Sequence, residues 1–312
     1  MLLYLLVVRH GNLSILNEFA NIFYNEPKEY LTILNHELDK GLSYPKAREN
    51  AILFYLNDIR KYSNILSSPN NILAIEYLKA IKKLKSKILP ITIKRIDEGY
   101  NSLNVKGRLA SATAIRNLIK NNEDVKKLVP SPSFNILSNN INHGKTLNGI
   151  NVFEKEIIYT LRKMSVEEIA NLQDVSEGLE NLIKTASDSC NNLEDLINTI
   201  KSKRYTRSRI QRILLYALLN ITKNDIKDSY SVKPYIRVLG ISNRGKLLLS
   251  EMSNKKFKYP VITSVKKFVD TNSNKTLEAM LKKDILASNI YTLGYEFDSK
   301  ANLDYTKKLI IY

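Results

Sequence analysis

The run LLYLLVV, residues 2–8, sets the fold of the first part of this chain. Seven apolar or aromatic residues in unbroken succession are typical of a strand that helices cover on both faces, as in a parallel sheet. The polar segment RHGN, residues 9–12, fits the loop that leaves such a strand, and residues 13–24 then repeat apolar side chains at helical spacing. A buried strand that leads into a helix is the first half of an α/β unit.

The same alternation continues along the next hundred residues. Two helices are predicted within residues 25–56, separated by Gly41, and a third within residues 67–84. ILPITIKRI, residues 88–96, carries β-branched residues in alternation and predicts a second strand. Another helix is predicted from SATAIR, residues 111–116. Apolar strands that alternate with helices predict a parallel α/β sheet.

The pattern changes from about residue 122. VPSPSFNILSNNINHGKTLNG, residues 129–149, is polar and rich in helix breakers, which predicts a domain boundary or an exposed loop. The elements predicted beyond it are helices over 151–164, 165–172, 176–187 and 192–201, a basic helix within 201–221, a strand, turn and helix over 235–252, and a strand over 260–268. The predicted organisation is an incomplete Rossmann-like α/β domain over residues 1–122 and a mainly α-helical domain over residues 123–312.

Composition narrows the class of protein. The chain has 312 residues and a net charge of +17, which indicates a polyanionic partner such as a nucleic acid. An alternative stays open, because a genome rich in A and T also raises the content of Lys, Asn and Ile. The single cysteine, Cys190, excludes an intrachain disulfide and a multi-cysteine zinc site, so a cytoplasmic location is expected. No apolar run approaches the roughly 20 residues of a membrane helix, and no membrane partner is expected.

A candidate anion site lies at the start of two predicted helices. Asn70 and Asn71 are suited either to capping a helix or to contacting a nucleotide. Hydroxyls at a helix N-terminus, followed three residues later by an arginine, are suited either to a cap or to a phosphate. The candidate ligands of this second kind are Ser111, Thr113 and Arg116, with Arg95 at the end of the preceding strand. Parallel sheets bind ligands at the carboxyl ends of their strands.

The segment KSKRYTRSRIQR, residues 201–212, is the strongest candidate for RNA binding. It has six positive charges and no negative one, so the charges repel each other unless a polyanion neutralises them. Tyr205 is a candidate for stacking on a base. The candidate RNA-binding residues are Lys201, Lys203, Arg204, Tyr205, Arg207, Arg209, Arg212 and, further on, Arg237. The alternative is a solvated helix end.

Four stretches together resemble a known family. SSPNNILAIEYLKAI, LASATAIR, the basic segment with its helix, and PYIRVLG occur in the order found in the bacterial tRNA(Met) cytidine acetate ligases, a family of HIGH-type nucleotidyltransferases. The resemblance covers the chain from about residue 11 onward. It implies a HIGH-type α/β domain that activates acetate with ATP without a covalent protein nucleophile, and a helical domain that holds elongator tRNA(Met). The acetyl group would then pass to N4 of the wobble cytidine of that tRNA. It also implies ATP contacts for Asn70 or Asn71 and for Arg95, and Mg²⁺ as the companion of ATP.

The chain departs from the family in one motif. The family begins with a strand that leads into a His-x-Gly-His sequence whose histidines contact phosphates, and this chain has no such sequence. We therefore expect that a segment before residue 1 is missing and that the catalytic step is impaired in this form. The catalytic residues are left unassigned. Two alternatives remain open, namely a non-catalytic RNA-binding protein and an adenylyltransferase that acts on a small molecule.

Overall fold

The computed structural model describes residues 3–8, 12–94, 110–145, 148–176, 178–202, 204–254 and 257–312. The chain divides into two compact units, Met1–Ser131 and Pro132–Tyr312. The elements of the first unit are β1 Leu3–Val8, α1 Leu13–Asn25, α2 Lys28–Asp39, α3 Tyr44–Leu56, α4 Ile59–Tyr62, α5 Pro69–Lys83, β2 Leu89–Lys94 and α6 Ala112–Lys120.

The two strands of the first unit pair in parallel, with Leu3 opposite Leu89 and Val8 opposite Lys94. Parallel strands need a long crossover between them, and the helices from α1 to α5 supply it. Leu6 and Val8 are buried and pack in one core with side chains of α1 and α5, whereas Val7 between them is exposed. This arrangement confirms the predicted α/β class.

Local signals fix the ends of the first helices. Asn12 caps α1, because its Oδ1 accepts a hydrogen bond of 2.9 Å from the backbone N–H of Ser14. Gly41 lies between α2 and α3 with φ of +76°, a conformation that glycine adopts without steric cost. Pro45 lies in the first turn of α3, where its missing N–H breaks no hydrogen bond. The sequence prediction for these helices is confirmed.

The second unit is mainly helical. Its elements are α7 Ser131–Asn142, a 3₁₀ turn Ile150–Phe153, α8 Glu154–Lys163, α9 Val166–Ala170, α10 Leu179–Ser189, α11 Leu193–Ile200, α12 Arg207–Leu219, α13 Lys223–Ser229, β3 Ile236–Arg237, β4 Gly240–Ile241, α14 Asn243–Asn254, β5 Val261–Ile262, α15 Val265–Thr271, α16 Lys275–Thr292, α17 Leu303–Thr306 and β6 Ile310–Ile311. The helices α8 to α12 enclose one core, which includes Leu161, Ile197 and Ile213. Short parallel pairs join β3 to β5 and β4 to β6.

Two predicted elements of the second unit differ from the structure. The segment expected to be a boundary or a loop does contain the division between the two units, but it is not a loop. It contains α7, because its breakers stand at the two ends: Pro132 is in the first turn, where proline is tolerated, and Gly144 follows the last turn with φ of +69°. The strand predicted over residues 260–268 is wrong beyond Ile262. Ser264 caps α15 there, since its Oγ accepts from the N–H of Lys267.

The described part of the chain contains no helix with both the length and the apolar character needed to cross a bilayer.

Candidate functional site

The start of α5 meets the carboxyl end of β1. Asn70 is half-buried, and its Nδ2 donates a hydrogen bond of 3.0 Å to the carbonyl of Val7, the second-last residue of β1. This contact holds the side chain beside the edge of the sheet where parallel strands present ligands. Asn70 therefore stands where a nucleotide-binding residue of an α/β domain is expected.

Asn71 has a different environment. Its side chain is 1% exposed, and Nδ2 donates a hydrogen bond of 3.0 Å to the carbonyl of Ile65. The amide thus fixes the loop that precedes α5, in a place where an unpaired carbonyl would be costly. Of the two asparagines that the sequence could not separate, Asn70 is the one whose placement suits contact with a ligand.

The N-terminus of α6 is capped by the residue that the sequence analysis singled out. Ser111 is buried, and its Oγ accepts a hydrogen bond of 3.0 Å from the N–H of Ala114. Thr113 is half-buried and Arg116 is exposed. The cap uses the Ser111 hydroxyl, while the helix end retains the positive potential that attracts anions. Arg95, the fourth candidate ligand, lies outside the described residues.

The basic segment has acidic partners within the chain, so the prediction that only a polyanion could neutralise it is wrong. Arg207 and Glu194 form a two-pronged ion pair, with Nη1 to Oε1 at 2.6 Å and Nη2 to Oε2 at 2.5 Å. The guanidinium holds the pKa of the Glu194 carboxyl below its usual range. Residues thirteen positions apart meet here because α11 packs against α12.

Asp174 binds the next two arginines of this segment. Its Oδ2 accepts from Arg212 Nε at 2.6 Å, and its backbone carbonyl accepts from Arg209 Nη2 at 2.7 Å. Arg209 also donates to the Ser176 hydroxyl at 3.0 Å. Arg209 is therefore a structural residue that ties α12 to the segment after α9, whereas Arg212 keeps about half of its side chain, 51%, exposed to solvent.

Tyr205 is buried, which contradicts the expectation that its ring stacks on a base. Only 7% of the residue is exposed, and the ring belongs to the core of the second unit. The guanidinium of Arg209 lies 5.2 Å from the ring centroid, a cation–π contact. The exposed cations of the segment are Lys201 and Arg204, together with the outer part of Arg212. Lys203 lies outside the described residues.

Arg237, the last candidate for RNA binding, also has a partner. Its Nη2 lies 2.5 Å from Oδ1 of Asp304, and both side chains are largely buried. No pattern in the sequence pointed to the acidic partners Glu194, Asp174 and Asp304. They lie 13 to 67 positions from their arginines, beyond any local spacing rule.

The remaining kinds of site to consider among the described residues are a metal centre and a cysteine nucleophile. They contain no group of three or more His, Cys, Asp or Glu side chains placed to hold a metal ion. Cys190 is half-buried, with its Sγ 3.6 Å from the hydroxyl of Thr199. A threonine hydroxyl is not a general base, so this contact does not activate the thiol as a nucleophile.

Comparison with known proteins places these features in a family. The family model described as "HIGH Nucleotidyl Transferase" matches residues 7–306. The chain thus belongs to the HIGH nucleotidyl transferase family. More narrowly, the chain belongs to the tRNA(Met) cytidine acetate ligase family. It is 38% identical to the ligase of that name from Acetivibrio thermocellus over 97% of this chain and 75% of the relative. It is 41% identical to the one from Caldanaerobacter subterraneus over 96% of this chain and 73% of the relative.

Solved structures agree with the sequence relatives. A crystal structure of Thermotoga maritima TmcAL without ligand superposes with a TM-score of 0.86 at 27% identity, over 98% of this chain and 76% of that one. A second crystal structure of the same protein, bound with alpha-thio ATP, gives a TM-score of 0.85 at 28% identity, over 98% of this chain and 75% of that one. The sequence-based family assignment is confirmed.

Proposed function

We propose that this chain is an ATP-dependent ligase that acetylates N4 of the wobble cytidine of elongator tRNA(Met). The observation that carries the proposal is the placement of Asn70 at the carboxyl end of β1, in a chain whose relatives are named for this reaction. A structural neighbour bound with alpha-thio ATP supports ATP as the nucleotide. With tRNA as substrate, the protein works in the cytoplasm.

The reaction has two steps that need no covalent protein intermediate. An acetate oxygen attacks the α-phosphorus of ATP, pyrophosphate leaves, and acetyl-adenylate forms. The N4 amine of cytidine then attacks the acetyl carbon, AMP leaves, and the amine loses a proton. Negative charge develops on phosphoryl oxygens in the first step, and fixed donors there lower its barrier. The proposed donors are Asn70, Arg95, Thr113, Arg116 and the N-terminus of α6 that Ser111 caps.

Mg²⁺ is proposed as the companion of ATP. It neutralises charge on the phosphates and usually binds through them with only one or two carboxylates, so a dedicated cluster of protein ligands is not required. This is compatible with the absence of such a cluster from the residues that the structure describes.

The tRNA surface is proposed around the start of α12. Lys201, Arg204 and about half of the Arg212 side chain are exposed to solvent, and we propose that they contact phosphates. Arg207 would have to exchange Glu194 for a phosphate. Arg209 and Tyr205 support this surface from beneath rather than bind RNA themselves.

The test of the proposed function is acetate-dependent exchange of pyrophosphate into ATP, followed by acetylation of tRNA(Met) with isotopically labelled acetate. Digestion to nucleosides and mass spectrometry then detect N4-acetylcytidine. Asn70→Ala is expected to lower exchange without lowering the thermal midpoint greatly. Asn71→Ala serves as the matched control, since it is expected to lower the thermal midpoint through the lost contact with Ile65.

The outcomes separate the candidate functions. Exchange with tRNA acetylation supports the ligase and would also refute the expectation that a chain without His-x-Gly-His is impaired. Binding of tRNA without exchange would indicate the RNA-binding protein instead. Exchange that depends on a different acid, with no binding of tRNA, would indicate an adenylyltransferase for a small molecule.

A further inference from the structure

A cleft of about 570 Å³ lies in the second unit, and Arg237 and Asp304, the ion pair described above, are among its lining residues. Its volume falls within the ordinary range of sites for small ligands. Val238 and Thr263, the residues that directly follow the parallel strands β3 and β5, line it. The N–H of Val238 donates to the carbonyl of Ile262, which holds the two strand ends together. The cleft therefore opens at the carboxyl end of a parallel pair, where such pairs bind ligands.

One wall of the cleft carries an acceptor without a donor. Asp304 accepts from Arg237 through Oδ1 at 2.5 Å, while its Oδ2 is buried and has no hydrogen-bond partner among the described residues. The Asp304 side chain is 14% exposed, so water solvates it poorly. A buried acceptor of this kind costs free energy unless a donor reaches it. The ion pair with Arg237 occupies Oδ1 and leaves the buried Oδ2 without a donor among the described residues.

The rest of the lining suits a nucleotide. Leu239 and Ile310 are apolar and exposed, which provides surface for the face of a planar base. Lys307 and Lys308 line the same cleft and are exposed, so they can approach phosphates. A lining that combines a carboxylate acceptor, apolar side chains and exposed lysines matches an RNA nucleotide whose base donates from an amino group.

We propose that this cleft binds one unpaired nucleotide of the RNA substrate, with a base that carries an exocyclic amino group. The Asp304 carboxylate turns to expose Oδ2, which accepts from the amino group, and Lys307 and Lys308 contact the flanking phosphates. Cytosine, adenine and guanine satisfy this requirement. Uracil does not, because it carries a carbonyl oxygen at position 4, where cytosine carries its amino group. The inference rests on the proposed function in one respect, since it takes RNA to be the substrate.

The test compares two probes that differ at position 4 of the base, namely fluorescein-labelled pentacytidylate and pentauridylate. Fluorescence anisotropy gives the affinity of each for the complete chain. We expect pentacytidylate to bind about tenfold more tightly, the effect of one hydrogen bond to a charged acceptor. Asp304→Asn, whose amide can donate to uracil O4, is expected to abolish or reverse the preference. Asp298→Asn is the matched control, because it removes the same charge from an exposed residue outside the cleft lining.

Lys308→Glu provides a second test that does not depend on a buried substitution. It is expected to weaken both probes equally and to leave their ratio unchanged. Equal affinities of the unaltered chain for the two probes would overturn the inference, as would a preference that persists in folded Asp304→Asn. Acetylation of tRNA together with equal affinities would overturn only this inference. A preference for pentacytidylate in a chain that neither activates acetate nor binds tRNA would instead overturn the proposed function.

Discussion

Asp174→Asn is expected to strengthen tRNA binding while it slightly weakens the fold. In the structure, Asp174 Oδ2 accepts from Arg212 Nε at 2.6 Å, and the Arg212 side chain is 51% exposed. Asparagine keeps the backbone carbonyl that holds Arg209, and it tolerates the φ of +69° at this position better than alanine would. The substitution thus removes one negative charge and releases one guanidinium with little other disturbance.

The magnitude follows from the exposure of the pair. A half-exposed ion pair contributes about 0.2–1 kcal/mol, so the free energy of unfolding should fall by less than about 1 kcal/mol. If the released Arg212 contacts one more phosphate, the slope of the logarithm of affinity against the logarithm of salt concentration should steepen by about 0.7–0.9. Urea denaturation measures the first quantity, and tRNA binding at several salt concentrations measures the second.

Two further variants serve as controls for the effect of Asp174→Asn on tRNA binding. In Asp174→Asn combined with Arg212→Ala, the gain in affinity should disappear, because the released cation is gone. Asp298→Asn removes the same charge from another residue with positive φ in the second unit and should leave the salt dependence unchanged. An Asp174→Asn variant with unchanged affinity and slope would refute the placement of Arg212 at the RNA surface.

The remaining predictions concern stability. Asn71→Ala should lower the free energy of unfolding by about 1–3 kcal/mol, because the carbonyl of Ile65 loses its donor; urea denaturation with an unchanged midpoint would contradict this. Ser111→Ala should cost about 1 kcal/mol through loss of the α6 cap, and Ser111→Asp, which restores a cap, should recover most of it in the same assay. Glu37 has a pKa below its usual range because Lys40 donates to it, so its contribution to stability is present above the ordinary pKa and is lost as the pH falls through the lowered one. Glu37→Gln should therefore flatten the acid side of a plot of thermal midpoint against pH, and parallel curves for the two proteins would argue against this.

Local signals in the sequence were sufficient for the class of fold. The apolar run of β1 and the β-branched alternation of β2 predicted two strands, and the helices between them supply the long crossover that their parallel pairing needs. The predicted start of α1 at residue 13 was also correct, and the structure shows that Asn12 caps the helix there. The prediction of a loop within residues 129–149 was wrong where α7 lies. Pro132 and Gly144 mark the two ends of that helix and do not disrupt it.

The sequence likewise predicts one part of the candidate site, and tertiary contacts decide the other. The residue types and spacing at Asn70, Ser111 and the basic segment are properties of the sequence, and they were enough to identify the family. Tertiary contacts decided which side chains are available. Asn71 and Tyr205 are buried, and Arg207, Arg212 and Arg237 meet acidic residues that are distant in the chain. Hydrogen bonds and ion pairs across such separations depend on how helices pack, and no local pattern of charge encodes them.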